Sequence, residues 1–420
     1  MASHARFHLV HRHIAREYLL SFVVAFFFFF FIFFINQILL IAQRILLKQV
    51  DYLSVLQLVL LSIPQFLLYT FPFSSLTASS MVLGDLSGNN ELLALRSSGI
   101  SLKHVFLPII LLSLVFSLMT FVTADKALPW STKKYRELYT HLMRDLPTLE
   151  LQSNSTNIIG DKVLVNKQVS GTNVQDVLLF DTASNRQGQI MSAPSAEVSL
   201  YDLSAFIYRL DLEQPLILSS EKDGQWALSK AQKATFFLNF SGQVAALASA
   251  LPSQLSIKEL QAQITIQKQA LDQEMERYTE KRQALMQSIA DAQLQAGAGK
   301  KVETAQIAQM QEALSLLDAQ KPINFYYQYY RAELQKKIAL SMACFMLVFL
   351  TFSLSFFRIK HGRLVGFALS MLTSVVYWYL LFFAQMQIFT YPLNPAWFIW
   401  SPNLVLFASG LLLLVHTRRL

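Results

Sequence analysis

Basic side chains stand at the ends of several long apolar segments, where the phosphate of an anionic lipid would be within reach. They are Arg44 and Lys48 after the first segment, Lys133, Lys134 and Arg136 after the third, and Lys336 and Lys337 before the fourth. Lysine and arginine pair strongly with phosphate oxygens and are drawn to anionic headgroups. Two interpretations remain open: the residues anchor the segments to ordinary headgroups, or they form a ring that holds the phosphates of a bound lipid.

A second polar stretch, Asn90–Ser101, lies between the second and third apolar segments. Asn90 is a favourable N-cap, Glu91 places a carboxylate in the first helical turn, and Gly99 suits the position just after a helix. The residues between them are strong helix formers. We therefore predict a helix within 90–99, roughly 12 Å long at 1.5 Å per residue.

A helix this short is unstable alone in water, so other contacts must hold it. It either lies on the lipid headgroups or docks into a cytosolic partner. Residues three and four apart share one side of a helix, and a docking surface would combine apolar and charged side chains. The candidate docking residues are Glu91, Leu92, Leu95, Arg96 and Gly99.

The sequence carries no nucleotide-binding or hydrolase motif and no metal-binding motif. His8, His11 and His13 lack the spacing of metal ligands, and Cys344 is the single cysteine, so we expect neither a metal nor a cofactor. The apolar segments hold almost no ionisable side chains, which disfavours an ion-coupled carrier. Without ion coupling, work done by the protein needs an external source of energy, and this favours partner docking by the 90–99 helix.

Composition places the chain among polytopic membrane proteins. It has 420 residues, of which 53% are hydrophobic, 33 are phenylalanine and only 15% are charged. The first apolar segment is too long for a cleavable signal peptide, so we expect none. Six predicted spans follow in order: 18–41, 53–83, 105–123, 338–357, 364–388 and 397–415.

The distribution of basic residues predicts the orientation. The N-terminus, the 84–104 and 358–363 loops and the C-terminal tail are all basic and would share one side of the membrane. The positive-inside rule places that side in the cytoplasm, together with both termini. The long polar section 125–337 is then outside.

In the outer section, the spacing of apolar residues along the sequence changes near residue 257. Before it, short alternating runs separated by turn residues predict an antiparallel sandwich or open barrel. The predicted strands are Lys162–Lys167, Val174–Asp181, Gln189–Ala193, Ala196–Tyr201, Ala205–Leu212 and Thr235–Phe240. After it, apolar residues recur at spacings of three and four, which predicts an antiparallel coiled-coil hairpin whose second arm resumes beyond Pro322.

The stretch Asn90–Ser101, read as NELLALRSSGIS, resembles the motif between spans two and three of the lipopolysaccharide-export permeases LptF and LptG, the YjgP/YjgQ family. Further resemblances lie in Ile63-Pro64 with Phe71-Pro72, in Glu333–Leu340 at the start of span four, and in Gln189–Ala193. The resemblance covers nearly the whole chain and departs only at 257–325. The Arg44–Asp51 and Pro129–Ser131 stretches are slightly nearer LptF.

The resemblance implies a permease subunit of an ABC exporter in the bacterial inner membrane. Such a subunit pairs with a second permease of the family, and an LptB-like ATPase dimer engages their cytosolic helices. The exporter extracts lipopolysaccharide or a similar anionic glycolipid, and a periplasmic β-jelly-roll passes it to an LptC/LptA-like bridge. The chain itself would be no enzyme, because ATP hydrolysis belongs to the separate subunit, and nucleic acid is not among the expected partners.

The expected fold is a polytopic α-helical membrane protein with six transmembrane helices, a β-jelly-roll between the third and fourth, and an inserted helical hairpin. The expected domains are 1–124 with the coupling helix at 90–99, 125–256 for the jelly-roll, 257–335 for the hairpin and connector, and 336–420 for the last three spans.

Two alternatives belong to other functional classes. A mechanotransmission permease of the MacB or FtsX type has four spans, which does not match six with a domain after the third. A membrane sensor with a periplasmic ligand domain would need a cytosolic output domain, and the predicted cytosolic parts are too short to hold one.

Overall fold

A computed structural model of the chain describes most of its residues. The described ranges are 2–45, 51–145, 151, 153–159, 162–181, 189–202, 207–220, 226–239, 250–297, 304–319, 321–322, 324–353, 362–389 and 393–419.

Six helical segments are long and apolar enough to cross a bilayer. They are Leu9–Leu40, Tyr52–Gly88, Leu102–Leu142, Phe325–Thr351, Gly362–Gln387 and Pro395–His416. An antiparallel β domain lies between the third and the fourth, and a helical hairpin precedes the fourth. The predicted fold class is therefore confirmed.

The helices are numbered in chain order: α1 Ala2–Ile45, α2 Tyr52–Gly88, α3 Glu91–Ser97, α4 Leu102–Val122, α5 Leu128–Asp145, α6 Ile257–Gly297, α7 Thr304–Ala319, α8 Phe325–Met346, α9 Val348–Thr351, α10 Gly362–Gln387 and α11 Pro395–Arg419. A five-residue π-helix, Thr123–Ala127, joins α4 to α5. The third helical segment therefore continues well beyond the predicted span end at residue 123. Its last part, α5, is amphipathic, with Leu128, Tyr139 and Leu142 buried.

Contacts divide the chain into two compact units. The first comprises Met1–Tyr18, Ser75–Phe121 and Leu255–Leu420, and the second comprises Leu19–Ser74 and Val122–Gln254. The domain boundaries expected from the sequence stay a prediction.

The β domain belongs to the second unit and forms one antiparallel sheet. Its strands are β1 Ser155–Ile159, β2 Lys162–Asn166, β3 Gln168–Ser170, β4 Asn173–Asp181, β5 Gln189–Asp202, β6 Ile207–Glu213, β7 Leu216–Ser220, β8 Trp226–Lys230 and β9 Lys233–Asn239. The main order is β1-β2-β4-β5-β6-β9, with β3 beside β4, β7 beside β5 and β8 beside β7.

Strand β5 changes partner along its length, and Pro194 marks the change. Residues 189–192 pair with β7, whereas the pairing with β6 begins at Ser195. On the other side, the β4 register omits Pro194 and the facing Asp176, whose φ is 50°. A proline has no backbone N–H to donate. Pro194 lies at a gap in the hydrogen-bond ladder between β4 and β5, where no N–H donor is needed. The sequence predicted two strands divided at this proline, and the structure shows one.

The core of the second unit lies between the sheet and parts of α2 and α5. Strand residues such as Leu179, Val198 and Leu210 are fully buried, and Leu58 of α2 and Tyr139 of α5 pack in the same cluster. Burial of apolar surface at about 25 cal/mol per Å² stabilises this arrangement.

The predicted hairpin consists of α6 and α7. Its half-buried residues recur at spacings of three and four: Ile264, Leu271, Met275, Tyr278, Leu285 and Ile289 in α6, and Ile307, Met310, Leu314 and Leu317 in α7. Across the two arms, Tyr278 Oη donates to Asp318 Oδ1 at 2.7 Å and Arg282 Nε donates to the same oxygen at 2.8 Å. The hydrogen bonds from Arg282 and Tyr278 lower the pKa of the Asp318 carboxyl.

Beyond Pro322, the second arm resumes as α8, as the sequence predicted. The Asn324 side chain caps α8 by accepting from the Tyr327 amide at 2.9 Å, and it donates to Gln267 Oε1 of α6 at 3.0 Å. The helix that enters the fourth span is thus attached to the base of the hairpin.

Buried hydroxyl groups connect the first four spans within the first unit. Tyr18 Oη lies 2.7 Å from Ser75 Oγ, which donates to the carbonyl oxygen of Cys344 at 3.1 Å. Thr120 Oγ1 lies 3.3 Å from Cys344 Sγ. In a low-dielectric interior these contacts satisfy groups that would otherwise be costly to bury.

Candidate functional site

The short helix α3 lies between two residues whose backbone is in the left-handed conformation, Asn90 before it and Gly99 after it. Asn90 has φ 59° and makes no side-chain capping hydrogen bond, so the predicted N-cap interaction is wrong. Asparagine tolerates this conformation, and here it closes the tight turn that follows α2. Gly99 has φ 78°, and its amide and that of Ile100 donate to the carbonyls of Arg96 and Leu95, each at 3.0 Å. The predicted role of Gly99 in ending the helix is confirmed.

The faces of α3 differ in exposure. Leu92 is only 4% exposed and packs inside the chain, whereas Leu93 is 58% exposed. Glu91 and Arg96 are exposed, and Leu95 is half-buried. Leu92 thus holds the helix in place, and Leu93 is an exposed apolar residue that the sequence analysis did not single out.

A groove of ≈ 410 Å³ separates α3 from the N-terminal part of α1. Its lining includes Leu9, Val10, His13, Ile14, Leu86, Glu91, Ala94, Leu95 and Ser98. Inside it, His13 Nε2 lies 3.9 Å from Glu91 Oε2. A second hollow of ≈ 380 Å³, lined by Arg96 and residues 99–103, adds the ammonium of Lys103. The two hollows beside α3 are therefore lined by both apolar and charged side chains.

Three helices meet at an ion cluster near this groove. Arg363 Nη2, in the first turn of α10, lies 2.6 Å from Glu17 Oε2 of α1 and 3.0 Å from Asp85 Oδ2 of α2. All three side chains are partly exposed. A guanidinium has several donors in one plane, so it can bind two carboxylates at once.

Small residues bring α2 and α10 into backbone contact beside this cluster. A Cβ atom at Gly362 would overlap the carbonyl oxygen of Gly84, and one at Gly366 would overlap that of Ser80. The Ser80 hydroxyl also donates to the carbonyl oxygen of Gly366 at 2.7 Å. Each helix thus presents two small residues four positions apart, an arrangement that lets helices approach closely in membranes.

These contacts place several chain segments at one face of the first unit. They join the N-terminal part of α1, the 84–104 connection and the start of α10, and the rings of His11 and His104 stack at 5.8 Å between centroids. Among the residues that the structure describes, no three histidine, cysteine, aspartate or glutamate side chains are grouped so that they could hold a metal ion.

The basic residues that were predicted to follow the third span lie on α5, within the continuous segment Leu102–Leu142 and in the second unit. Lys133 and Lys134 are exposed, and Lys134 Nζ pairs with Glu137 Oε2 at 2.8 Å. Arg136 is half-buried, and its Nε donates to the carbonyl oxygen of Thr132 at 3.4 Å. Trp130, 63% exposed, precedes the lysines by three and four residues and therefore shares their face of the helix.

Lys336 and Lys337, which were predicted to precede the fourth span, lie within the segment Phe325–Thr351 and are less accessible. Lys337 is only 3% exposed, and Lys336 Nζ lies 3.2 Å from Glu333 Oε1, with both side chains largely buried. The backbone of Arg44 lies in α1, but its side chain and Lys48 fall outside the described residues. A ring of phosphate-binding cations stays a prediction.

Neither the ion cluster nor the small-residue contact was predicted from the sequence. The sequence did contain a signal for the small-residue contact. Ser80 and Gly84 are small residues four positions apart in one apolar segment, and so are Gly362 and Gly366 at the start of another. The cluster gave no local signal, because Arg363 and its carboxylate partners are hundreds of residues apart in the chain.

A comparison with family models identifies one that covers nearly the whole chain. The model described as lipopolysaccharide export system permease LptF/LptG matches residues 12–416. No curated protein matches the sequence in a separate comparison. The matched interval extends from the first span to the last, and the chain therefore belongs to the LptF/LptG family of lipopolysaccharide export permeases.

Proposed function

We propose that the chain is a permease subunit of an ABC exporter that extracts lipopolysaccharide or a similar anionic glycolipid from the inner membrane and passes it to a periplasmic bridge. The family match over residues 12–416 carries this proposal. The subunit assembles with a second permease of the same family and with an LptB-like ATPase dimer, and its β domain hands the lipid to an LptC/LptA-like protein.

The structure supports α3 as the docking element for the ATPase. It is the exposed helix between the second and third spans, and it carries Glu91, Leu93 and Arg96 on its accessible surface. The sequence has no nucleotide-binding motif, so the energy must come from a partner. A seven-residue helix held by Leu92 and flanked by two hollows offers a partner both apolar and charged contacts.

The basic residues that the structure brings together support a proposed orientation. The 84–104 connection, the N-terminal part of α1 and the start of α10 share one face, and the positive-inside rule assigns this face to the cytoplasm. Both termini are then cytoplasmic, and the β domain and hairpin are periplasmic.

Cysteine labelling tests this orientation in intact cells whose outer membrane has been made permeable. Cysteines introduced at Ser170 and Ser288, both exposed, should react with a membrane-impermeant maleimide, and one at Ser97 should react only after the inner membrane is opened. The buried Cys344 serves as the background control. The reverse labelling pattern would exclude the proposed orientation.

Two phosphate-binding lysines on α5 give a test of the cargo. Trp130, Lys133 and Lys134 share an exposed face, and tryptophan side chains favour the headgroup region of a bilayer. Each cation near anionic headgroups contributes about 1 kcal/mol, so loss of both in the Lys133→Ala, Lys134→Ala variant should weaken binding of a phosphorylated glycolipid by roughly thirtyfold.

The measurement compares binding of phosphorylated and dephosphorylated lipid A to the purified complex. Lys268→Ala, which removes an exposed cation from the hairpin, is the matched control and should leave both affinities unchanged. Equal losses for both lipids would show that the two lysines only anchor the helix.

The function as a whole is tested by co-purification and release. The complex should retain an ATPase subunit and should deliver lipid from proteoliposomes to a soluble bridge protein only when ATP is hydrolysed. An ATPase partner without lipid release would favour a mechanotransmission permease, and the absence of any ATPase would favour a sensor.

A further inference from the structure

Arg363 connects the start of α10 to two other spans through charge. Its guanidinium reaches Glu17 of α1 at 2.6 Å and Asp85 of α2 at 3.0 Å. The contact depends on the adjacent glycines, because Gly84 and Gly362 place the α2 and α10 backbones against each other. Each of these glycines directly precedes one member of the Asp85–Arg363 pair.

The positions of these charges oppose the dipoles of their own helices. Arg363 lies in the first turn of α10, where a cation is unfavourable, and Asp85 lies in the last turn of α2, where an anion is unfavourable. Neither residue therefore stabilises its own helix. The charges are satisfied by each other, which indicates a role between helices rather than within one.

Two short routes lead from Arg363 to α3. Along α1, Glu17 is one helical turn from His13, which lies 3.9 Å from Glu91 at the start of α3. Along α2, Asp85 Oδ1 accepts from Asn89 Nδ2 at 3.3 Å, and Asn89 is two residues before α3. Both carboxylates that pair with Arg363 are thus close to α3, Glu17 through His13 and Asp85 through Asn89.

We propose that Arg363 is the positioning residue that transmits a movement of α3 to the first, second and fifth spans. This inference rests on the proposed function, in which an ATPase moves α3. Arg363 touches neither nucleotide nor lipid. Its guanidinium holds α10 to α1 and α2, so that the three spans follow α3 as one group.

The test uses the complete complex in proteoliposomes. Arg363→Gln keeps much of the side-chain volume and removes the charge, and it should lower the lipid released per ATP hydrolysed by roughly fivefold or more, within the usual range of coupling between sites. ATPase retention should not change. Arg363→Lys keeps one charge but loses the planar fork, so it should recover part of the coupling.

Arg16→Gln is the matched control. It removes a cation next to Glu17 in the chain, and Arg16 is exposed and makes no ion pair within the described residues. The control should release lipid like the wild type. The Glu17→Gln, Asp85→Asn double variant removes the cluster from its other side and should reproduce the loss seen with Arg363→Gln.

A distance measurement separates transmission from a merely structural role. Spin labels on cysteines introduced at Ser97 and Leu364, both exposed, report the separation of α3 from α10. In the wild-type background, α3 and α10 should move as one group when a non-hydrolysable ATP analogue is added. The distance between the two labels should therefore keep a narrow distribution. With Arg363→Gln, the distribution should broaden when the analogue is added, whereas it should stay narrow without it.

The two proposals fail in different ways. If the wild type retains no ATPase or releases no lipid, the proposed function is wrong. If the wild type works and Arg363→Gln shows unchanged release per ATP and an unchanged distance distribution, the role of Arg363 is wrong. A distribution that is already broad without nucleotide would show that Arg363 only stabilises the fold, and this would also overturn the inference.

Discussion

Substitution of Gly366 by leucine is expected to prevent the close packing of α2 on α10 and to abolish assembly of a stable permease. A Cβ atom at this position already overlaps the carbonyl oxygen of Ser80, and that neighbour is backbone, which cannot move aside as the end of a flexible side chain can. Overpacking of a tight interior costs about 1–3 kcal/mol and sometimes more. The hydrogen bond from Ser80 Oγ to the Gly366 carbonyl would be lost as well.

The measurement is the yield of monodisperse complex after detergent extraction, together with its thermal transition. Ala368→Leu adds similar bulk two positions away, at an exposed site of the same helix, and should behave as the wild type. Gly366→Ala should give an intermediate yield, because it introduces the same overlap with fewer atoms. A normal yield of Gly366→Leu would show that the two helices can separate without harm.

The second large effect is expected from α3. Glu91→Lys combined with Leu95→Ala reverses a charge and removes an apolar contact in the groove beside α1. Truncation of a residue at the energetic centre of an interface costs about 2 kcal/mol or more, and a reversed charge adds repulsion. We expect the lipid released per ATP to fall by roughly tenfold or more, while the spans stay folded.

The readouts are ATPase retention, release per ATP and the thermal transition of the complex. Ser97→Ala alters an exposed residue of the same helix outside the groove and is the control. Wild-type transport by the combined variant would mean that α3 only rests on the headgroups. The ATPase would then bind elsewhere.

Hydrophobic patterning located all six spans because each contains a long apolar run, but the third helical segment continues beyond its run and the fourth begins before its own. The strands were harder. β2, β4, β6 and β9 were predicted within a few residues, since they alternate or are rich in β-branched residues. β3 has three residues and β8 is almost entirely exposed, so neither carries an alternating signal. Pro194 normally ends a strand, and only the change of partner in β5 explains why it does not.

In the candidate site, too, some features could be predicted from the sequence and others could not. The turn signals of Asn90–Gly99 correctly located α3, because helix ends are encoded locally. The burial of Leu92 and the exposure of Leu93 depend on where α1 and α2 stand, and no local pattern contains that information. The same holds for Lys337, which the chain buries although its neighbours in sequence suggested a free cation.

The helical hairpin and the fourth span are connected through the side chain of Asn324. Asn324 caps α8 and also binds Gln267, so the base of α6 must follow any tilt of the span. From Gln267 to the end of α6 at Gly297 is thirty residues, or about 45 Å at 1.5 Å per residue. A tilt of about 5° at the span therefore moves the distant end of the hairpin by roughly 4 Å. The geometry of the hairpin therefore amplifies a small angular change of the fourth span into a displacement of several ångströms at its far end.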